Sequence, residues 1–290
     1  MFDGFESHIV DVDGVKINLK TAGYGQPVLL LHGYPQNHFM WHRVAPFLAQ
    51  HFTVVASDLR GYGDSDKPKS NHSHRAYSKK VSSEEQVALM KKLGHEKFAV
   101  IGHDRGGRVA HRMALDFPDR ITRLAVLDIV PTLWTFENTD MNKALSYYHW
   151  FFLSQPFNLP EVLIGQDSNF FLRWCLKSWG GSLEIFDETA LKEYERCFSS
   201  SEMIHATCED YRAAASIDLV DDRNDLDKKV GCPVLVLWGN DSKINTWCNV
   251  AEVWGERTID LISGGIESKH FLAEENPDDV TRALFFFLRT

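Results

Sequence analysis

The run Phe98-Ala-Val-Ile-Gly-His-Asp-Arg-Gly-Gly-Arg108 passes from apolar residues into a glycine-rich turn and then into a basic segment. This order predicts a buried strand, a sharp turn and the start of a helix. Glycines flanking the turn let the backbone bend tightly enough to expose one side chain, Asp104, above the end of the strand. A carboxylate in that position can displace a leaving group from saturated carbon and form an ester with its substrate.

Two arginines follow this carboxylate. Arg108 lies four residues after Asp104, so on a helix that begins at the turn it falls on the same face, and Arg105 is adjacent. One interpretation makes them salt-bridge partners of Asp104 or solvent-facing helix residues. We favour another, in which the two guanidiniums bind a substrate carboxylate through charge-assisted hydrogen bonds. With the helix N-terminus they would also keep Asp104 ionised.

Composition restricts the class of protein. The chain has 290 residues, of which 44% are hydrophobic, and a net charge of −9, which gives no support to nucleic-acid or anionic-membrane binding. No apolar run approaches the roughly 18 residues that a membrane span needs. The five cysteines are scattered, which argues against a disulfide framework or a zinc site. The segment Met1–Glu6 does not resemble a secretory signal, so a cytoplasmic protein is expected.

Strand and helix patterns alternate along most of the chain at the spacing of a doubly wound parallel sheet. Asp13-Gly14 predicts the turn of a hairpin between two antiparallel edge strands. The next predicted strands are buried and parallel, and they cover 27–33, 52–58, 98–102, 121–130, 232–239 and 258–264. Helices are predicted over 41–50, 81–93 with Ser82 or Ser83 as its cap, 105–117 and 277–289. We therefore expect an eight-stranded, mostly parallel sheet.

The pattern changes between Pro131 and Ala215, where buried strands disappear, aromatic residues become dense and the periodicity is helical. We predict that residues 131–215 form a helical cap over Asp104, and that 1–130 and 216–290 form the core domain. Packing within the cap explains any single aromatic residue best. As a set, Tyr147-Tyr-His-Trp150 and Tyr211 offer hydroxyl, imidazole and indole donors for a departing anion.

A nucleophile on such a turn needs a base, and that base needs an orienting acid. The strand, turn and helix around Asp104 resemble the nucleophile turn of the α/β-hydrolase fold, in which the order along the chain is nucleophile, acid, histidine. His270 is the histidine that follows the last predicted strand. Asp128, at the end of the strand after the turn and its helix, is the preferred acid. Many hydrolases of this fold carry the acid in the pattern Trp-Gly-x-x-Asp, where this chain has Ser242. Asp241 comes one residue early for that pattern and is the alternative acid. The loop at Tyr34 can direct backbone N–H groups toward whatever bonds to Asp104.

Six segments together resemble the fluoroacetate (haloacetate) dehalogenases of the α/β-hydrolase superfamily. They are Leu31–Pro46, Gly102–Arg108, Leu127–Pro131, Tyr148–Trp150, Cys208–Arg212 and Gly264–Pro277. The resemblance extends from the first strands to the last helix, and the Asp-Arg-x-x-Arg element with His-Trp in the cap is specific to that family. It implies the α/β-hydrolase fold with an inserted cap and a small anionic haloacid as substrate.

The resemblance also implies a role for each site residue. Asp104 is the implied nucleophile, His270 the base and Asp128 its partner. Arg105 and Arg108 are implied on the substrate carboxylate, His149, Trp150 and Tyr211 around the halide, and the backbone N–H groups of Tyr34 and Arg105 on the oxyanion. Neither a metal nor an organic cofactor is expected, and a homodimer is expected from the family. Lys269 departs from the family, which usually has Gly before the catalytic His.

Three other functions compete with haloacetate dehalogenation. Epoxide hydrolysis uses the same kind of nucleophile and would employ tyrosines of the cap, Tyr147, Tyr148 or Tyr211, but it gives no role to paired arginines. Haloalkane dehalogenation is disfavoured for the same reason, and because its halide-binding Trp follows the nucleophile where this chain has Arg105. A non-catalytic protein of this fold that binds a small carboxylate is the rival outside enzymes.

Overall fold

A computed structural model describes all residues, 1–290. One sheet contains eight strands in the order β1-β2-β4-β3-β5-β6-β7-β8. The strands are β1 Glu6–Val12, β2 Val15–Ala22, β3 Pro27–Leu31, β4 Thr53–Ser57, β5 Phe98–His103, β6 Ile121–Leu127, β7 Val234–Gly239 and β8 Leu261–Ile266. Strand β2 pairs antiparallel with β1 and β4, and every other pair is parallel. The predicted eight-stranded, mostly parallel sheet is confirmed.

The hairpin at the edge of the sheet has the predicted turn. Val12 pairs with Val15, and the two residues between them have positive φ angles, 52° at Asp13 and 88° at Gly14. Two consecutive positive φ angles are typical of the type I′ turn, whose twist matches that of the flanking strands. The prediction from Asp13-Gly14 is therefore confirmed.

Apolar strands in the middle of the sheet form the core. Leu29, Leu30, Ile101 and Val126 are fully buried, as expected for parallel strands covered on both faces. Eight helices lie between β6 and β7, and we call this segment the insertion. The helices before it are α1 Ala45–Leu48, α2 Lys79–Lys92 and α3 Asp104–Asp116. Those after it are α12 Lys243–Trp247, α13 Val250–Gly255, α14 Leu272–Glu275 and α15 Pro277–Arg289.

Two helix predictions are wrong in detail. The single helix predicted over 41–50 is a 3-10 turn, His38–Trp41, followed by the short α1. Pro46 has no backbone N–H to continue a helix through this segment, which explains the break. The cap of α2 is Ser78, whose side chain accepts a hydrogen bond from Val81 N at 3.2 Å, and not Ser82 or Ser83.

The segment between β6 and β7 contains helices and no strand of the sheet. Its helices are α4 Thr132–Glu137, α5 Met141–Ser146, α6 Tyr148–Leu153, α7 Leu159–Gln166, α8 Ser168–Gly180, α9 Glu188–Phe198, α10 Ser201–Ala214 and α11 Ile217–Asn224. The predicted end of the cap at residue 215 falls between α10 and α11, and α11 packs against α4 and α10. None of the helices combines the length and the apolar character that a membrane span requires.

Candidate active site

Asp104 lies where the sequence predicts it, directly after β5 and at the first position of α3, with a positive φ of 47°. The strand and the helix approach each other closely here. A Cβ at Gly102 would lie 2.4 Å from Gly106 O, and a Cβ at Gly106 would lie 2.4 Å from His32 O. Only glycine fits at these two positions, so the glycine-rich turn is what places Asp104 above the sheet.

The carboxylate of Asp104 is buried and polarised. Its Oδ1 accepts a hydrogen bond from Tyr34 N at 2.8 Å, and the residue is 7% exposed. Burial alone would raise the pKa of Asp104, but the neighbouring charges of His270, Arg105 and Arg108 outweigh burial and lower the pKa. Asp104 is therefore ionised at neutral pH, which a carboxylate nucleophile requires.

His270 is oriented by Asp128. Its Nδ1 donates to Asp128 Oδ2 at 2.7 Å, and Asp128 Oδ1 accepts from Gly239 N at 3.0 Å. This arrangement leaves His270 Nε2 as the basic nitrogen. Burial would lower the pKa of His270, but the hydrogen bond and the negative charge of Asp128 outweigh burial and raise the pKa. The candidate nucleophile, base and acid thus lie together at the carboxyl ends of the parallel strands.

The alternative acid, Asp241, does not contact the histidine. Asp241 is exposed in the loop after β7, where its backbone N–H donates to Ser268 O at 3.0 Å. The structure therefore brings Asp128, and not Asp241, to His270.

Arg105 is fully buried and does not pair with Asp104. Its Nε donates to Asp210 Oδ2 at 2.7 Å, and its Nη2 donates to Asp210 Oδ1 and O, each at 3.0 Å. The remaining nitrogen, Nη1, is buried without a partner. Neither a salt bridge to Asp104 nor a solvent-facing position describes this residue. One donor nitrogen is free to bind a ligand.

Arg108 is also buried, and its partners are neutral. Its Nη1 donates to Val130 O and Thr132 Oγ1, both at 3.0 Å, while Nε has no partner. The guanidinium lies over the ring of Trp150, with Cζ 4.4 Å from the ring centroid. Arg108 has no carboxylate partner, so it supplies a positive charge that is not paired within the protein.

The three predicted halide residues are buried together beside the arginines. The rings of His149 and Trp150 on α6 lie 5.7 and 6.1 Å from the ring of Tyr211 on α10. Burial lowers the pKa of His149 to about 3, so its imidazole is neutral. The hydroxyl of Tyr211 and Nδ1 of His149 have no hydrogen-bond partner. Both atoms are available to a ligand.

Five buried polar atoms without partners surround this site. They are Tyr34 Oη, Arg105 Nη1, Arg108 Nε, His149 Nδ1 and Tyr211 Oη, and we call them the unpaired donor cluster. Buried polar atoms in native proteins rarely remain unpaired. The cluster is therefore a candidate site for a small polar ligand.

A cavity of about 390 Å³ leads to Asp104 and His270. Its walls come from the core and from the insertion, and include Asp104, Asp128, Asp241, Lys243, Lys269, His270, Tyr147, Tyr148, His149, Trp174 and Trp179. Arg105, Arg108, Trp150 and Tyr211 do not line this cavity. His149 belongs both to the cavity wall and to the unpaired donor cluster, and Asp104 in the wall accepts a hydrogen bond from Tyr34 N. The cavity therefore leads toward the unpaired donor cluster.

Lys269, the departure from the family pattern, lies at the mouth of this cavity with an exposed side chain. Its backbone N–H donates to Glu275 Oε2 at 2.7 Å. Its ammonium lies against Gly181, since a Cβ at Gly181 would be 2.0 Å from Nζ. Gly181 is the C-cap of α8, where a positive charge is favourable near the negative end of the helix dipole.

Sequence reasoning missed two features of the site. The sequence predicted a role only for the backbone N–H of Tyr34, but the hydroxyl of Tyr34 also belongs to the unpaired donor cluster. It gave no role to Asp210, although this residue directly precedes Tyr211 in a segment that carries the family resemblance. Nothing in the spacing of the sequence indicated that Asp210 would contact Arg105.

Comparisons with known proteins agree with the fold and the resemblance. The family model for the alpha/beta hydrolase fold matches residues 26–275. Fluoroacetate dehalogenase from Burkholderia sp is 45% identical over 99% of this chain and 95% of its own length. Soluble epoxide hydrolase from Corynebacterium sp. (strain C12) is 34% identical over 97% of this chain and 96% of its own. The crystal structure of ALR0039 from Nostoc sp PCC 7120 superposes with a TM-score of 0.98 at 55% identity, with 99% of each chain covered.

Proposed function

The chain belongs to the alpha/beta hydrolase family, and we propose that within it the protein is a haloacetate dehalogenase. The reaction converts fluoroacetate or chloroacetate to glycolate and halide through an ester on Asp104. The observation that carries this proposal is an ionised carboxylate beside two buried arginines that each retain an unpaired nitrogen. The similarity to fluoroacetate dehalogenase supports it.

In the first step the substrate carboxylate binds Arg105 Nη1 and Arg108 Nε. Because Arg108 has no anionic partner in the protein, a substrate carboxylate supplies the missing negative charge. A carboxylate oxygen of Asp104 then attacks C2, the new C–O bond forms, and the C–halogen bond breaks. The halide leaves with the bonding electrons, and Asp104 is esterified.

Three groups receive the halide, namely His149, Trp150 and Tyr211. Fluoride is small and strongly hydrated, so its departure into a dry site needs hydrogen-bond donors. Hydrogen bonds to a charged acceptor contribute about 1.5–3 kcal/mol each. Three such hydrogen bonds from buried, preorganised groups would be large enough to favour cleavage of the C–F bond.

In the second step water hydrolyses the ester. His270 Nε2 removes a proton from water, and the water oxygen attacks the carbonyl carbon of the Asp104 ester. The backbone N–H groups of Tyr34 and Arg105 stabilise the oxyanion, and the 2.8 Å hydrogen bond from Tyr34 N to Asp104 Oδ1 supports this role for Tyr34. Collapse of the intermediate releases glycolate, which takes the proton from His270. The second proton of the water is lost from Asp104 to solvent, which regenerates the carboxylate.

The test is halide release combined with isotope labelling. An ion electrode should detect fluoride from fluoroacetate and chloride from chloroacetate, with glycolate as the other product. A single turnover in water enriched in heavy oxygen should label Asp104, because the water oxygen enters the carboxylate. Asp241→Asn should give the same labelling pattern. If label appeared only in glycolate, direct attack of water would replace the ester mechanism.

Epoxide hydrolysis is the second candidate, and a specific observation favours it. The hydroxyls of Tyr34 and Tyr211 are buried without partners, and their rings lie 5.3 Å apart. Paired phenols can protonate the alkoxide that forms when a carboxylate opens an epoxide. The similarity to soluble epoxide hydrolase adds support. Diol formation from a simple neutral epoxide, without halide release from haloacetates, would select this function.

A further inference from the structure

We propose that Asp210 is a positioning residue that orients Arg105 for carboxylate recognition. The inference deepens the proposed function, on which it rests only for the choice of a small carboxylate as ligand. Asp210 belongs to α10 in the insertion, whereas Arg105 belongs to α3 in the core. Two separate parts of the chain therefore build one binding group.

The contacts between the two residues fix the guanidinium in one orientation. Asp210 accepts hydrogen bonds from Nε and Nη2 through its two carboxylate oxygens, and its backbone oxygen accepts a third from Nη2. A guanidinium has five N–H donors in a rigid plane. Three of them are engaged by this one residue, so the two on Nη1 are left for a ligand.

Asp210 is itself held by other elements. Tyr62 Oη donates to Asp210 Oδ2 at 2.8 Å, and the ammonium of Lys79, at the start of α2, contacts Asp210 Oδ1. Lys79 N donates in turn to Asp218 Oδ1 of α11 at 2.8 Å. Asp210, Lys79 and Asp218 are each at least 95% buried. The carboxylate that orients Arg105 thus has little freedom to move.

The charges explain why Arg105 needs this partner. Burial and the neighbouring positive charge of Arg105 both lower the pKa of Arg108. Asp210 compensates Arg105, while Arg108 keeps neutral partners. The site therefore combines one oriented, compensated arginine with one uncompensated arginine. Without Asp210, Arg105 would lose its orientation, and the buried site would carry one more uncompensated positive charge.

The experiment compares Asp210→Asn with Glu209→Gln, its neighbour on α10, whose carboxylate binds His74 and Arg212 instead. Calorimetric titration with acetate measures carboxylate binding, and halide release from chloroacetate gives kcat and KM. We expect Asp210→Asn to raise the Kd for acetate and the KM at least about tenfold, because an oriented charged hydrogen bond is lost. We expect kcat to fall less than about threefold at saturation, and Glu209→Gln to change none of these values.

A purely structural role for Asp210 would lower the amount of active enzyme and so reduce kcat with KM unchanged. That outcome, or an acetate Kd raised less than tenfold, overturns the inference. If the wild-type protein binds acetate but releases no halide, the proposed function fails and the acetate affinities alone decide about Asp210. If the wild-type protein does not bind acetate, the inference fails as well.

Asp210→Asn leaves Arg105 and Lys79 buried without this carboxylate, a change that is strongly destabilising in proteins. If the variant does not fold, the double variant Lys79→Met/Asp210→Asn replaces it, since it removes one charge of each sign. The same tenfold rise in the Kd for acetate is expected, and Lys79→Met alone serves as its control. An equal rise in Lys79→Met would assign the effect to disruption of the buried cluster and overturn the inference.

Discussion

Asp104 and Asp128 occupy equivalent positions at the ends of two neighbouring parallel strands. His103 pairs with Leu127 in the β5–β6 register, so the next residues of the two strands are Asp104 and Asp128. Both have left-handed backbone angles, with φ of 47° and 51°. Non-glycine residues in this conformation are strained and persist where the surrounding structure holds them. One such aspartate holds the base and the other is the nucleophile in the proposed reaction.

The close packing under Asp104 predicts that Gly106→Ala is destabilising. Alanine normally stabilises a helix by about 1 kcal/mol relative to glycine, but its methyl group would lie 2.4 Å from His32 O. We expect the free energy of unfolding to fall by about 2 kcal/mol or more. Gly231→Ala is the control, because its added methyl group meets nothing within 4 Å. Denaturant unfolding measures both, and an unchanged Gly106→Ala would contradict the packing argument.

The position of His270 predicts that His270→Asn separates the two chemical steps. The variant keeps Asp104 and the arginines, so halide should be released once per active site. Without a base to activate water, the ester on Asp104 should persist. Mass spectrometry of the quenched protein should find the adduct on the peptide that contains Asp104. Steady halide release without an adduct would show that His270 is not the base.

The contact between His270 and Asp128 predicts a specific pH dependence. Burial lowers the pKa of His270, but Asp128 raises it above its ordinary value of 6.5, so ester hydrolysis should increase with pH through an apparent pKa above 6.5. Asp128→Asn removes the opposing charge, so this pKa should decrease while the rate falls by two or more orders of magnitude, about what loss of such an orienting acid costs elsewhere. Asp241→Asn should leave the profile unchanged. A reversed result for the two variants would assign the acid to Asp241.

The hydroxyl of Tyr211 predicts a difference between halogens. In the proposed reaction Tyr211→Phe removes one hydrogen bond to the departing ion. Fluoride depends on such bonds more than chloride because its hydration is stronger. We expect turnover of fluoroacetate to fall about tenfold or more, and that of chloroacetate to fall less. Tyr148→Phe, at a half-buried tyrosine that lines the cavity, is the control. Equal losses for both substrates would remove Tyr211 from the halide site.

The buried carboxyl group of Glu274, four residues after His270, predicts how the stability of the protein changes with pH. Burial raises the pKa of Glu274 to about 8, against the opposing effect of a hydrogen bond from Tyr194. The native protein then keeps this proton between pH 4.5 and 8, whereas the unfolded chain, with the ordinary pKa of 4.5, releases it. The contribution of Glu274 to the free energy of unfolding is therefore greatest below pH 4.5. It decreases as the pH rises toward 8, by up to about 1.4 kcal/mol per pH unit.

Glu274→Gln should remove this part of the pH dependence, because an amide has the same proton count in both states. Unfolding experiments at pH 5, 6, 7 and 8 measure it. Glu84→Gln, at an exposed carboxylate of α2, is the control and should follow the wild type. A slope that persists in Glu274→Gln would mean that another group carries the proton.

The features that could be predicted from the sequence depend on residues that are neighbours in the chain or on the order of segments along it. The elbow at Asp104 depends on apolar residues and glycines that are neighbours in the chain, and the hairpin at Asp13-Gly14 depends on two residues. Asp128 and His270 could be predicted because the acid and the histidine of this fold follow the nucleophile in a fixed order along the chain, each after a strand.

Features that depend on docking of distant segments were not predictable. The pairing of Arg105 with Asp210 requires α10 to bring Asp210 within hydrogen-bond distance of the first turn of α3, and no pattern within either helix specifies that contact. The cap of α2 shows the same limit on a smaller scale. Ser78, Ser82 and Ser83 are all acceptable caps by residue type, and the choice depends on where the preceding chain allows the helix to begin.

The insertion lies between β6 and β7, which are hydrogen-bonded neighbours in the sheet. During translation, β1 to β6 leave the ribosome before the whole insertion, and β7 and β8 follow only afterwards. Synthesis proceeds at roughly 5–20 residues per second. The edge of β6 therefore stays unpaired for several seconds or longer while the insertion is synthesised. An unpaired parallel edge can associate with other nascent chains, while the insertion can form its helices locally in that interval. Because of the position of this one insertion, we expect the yield of folded protein to depend on the speed of synthesis.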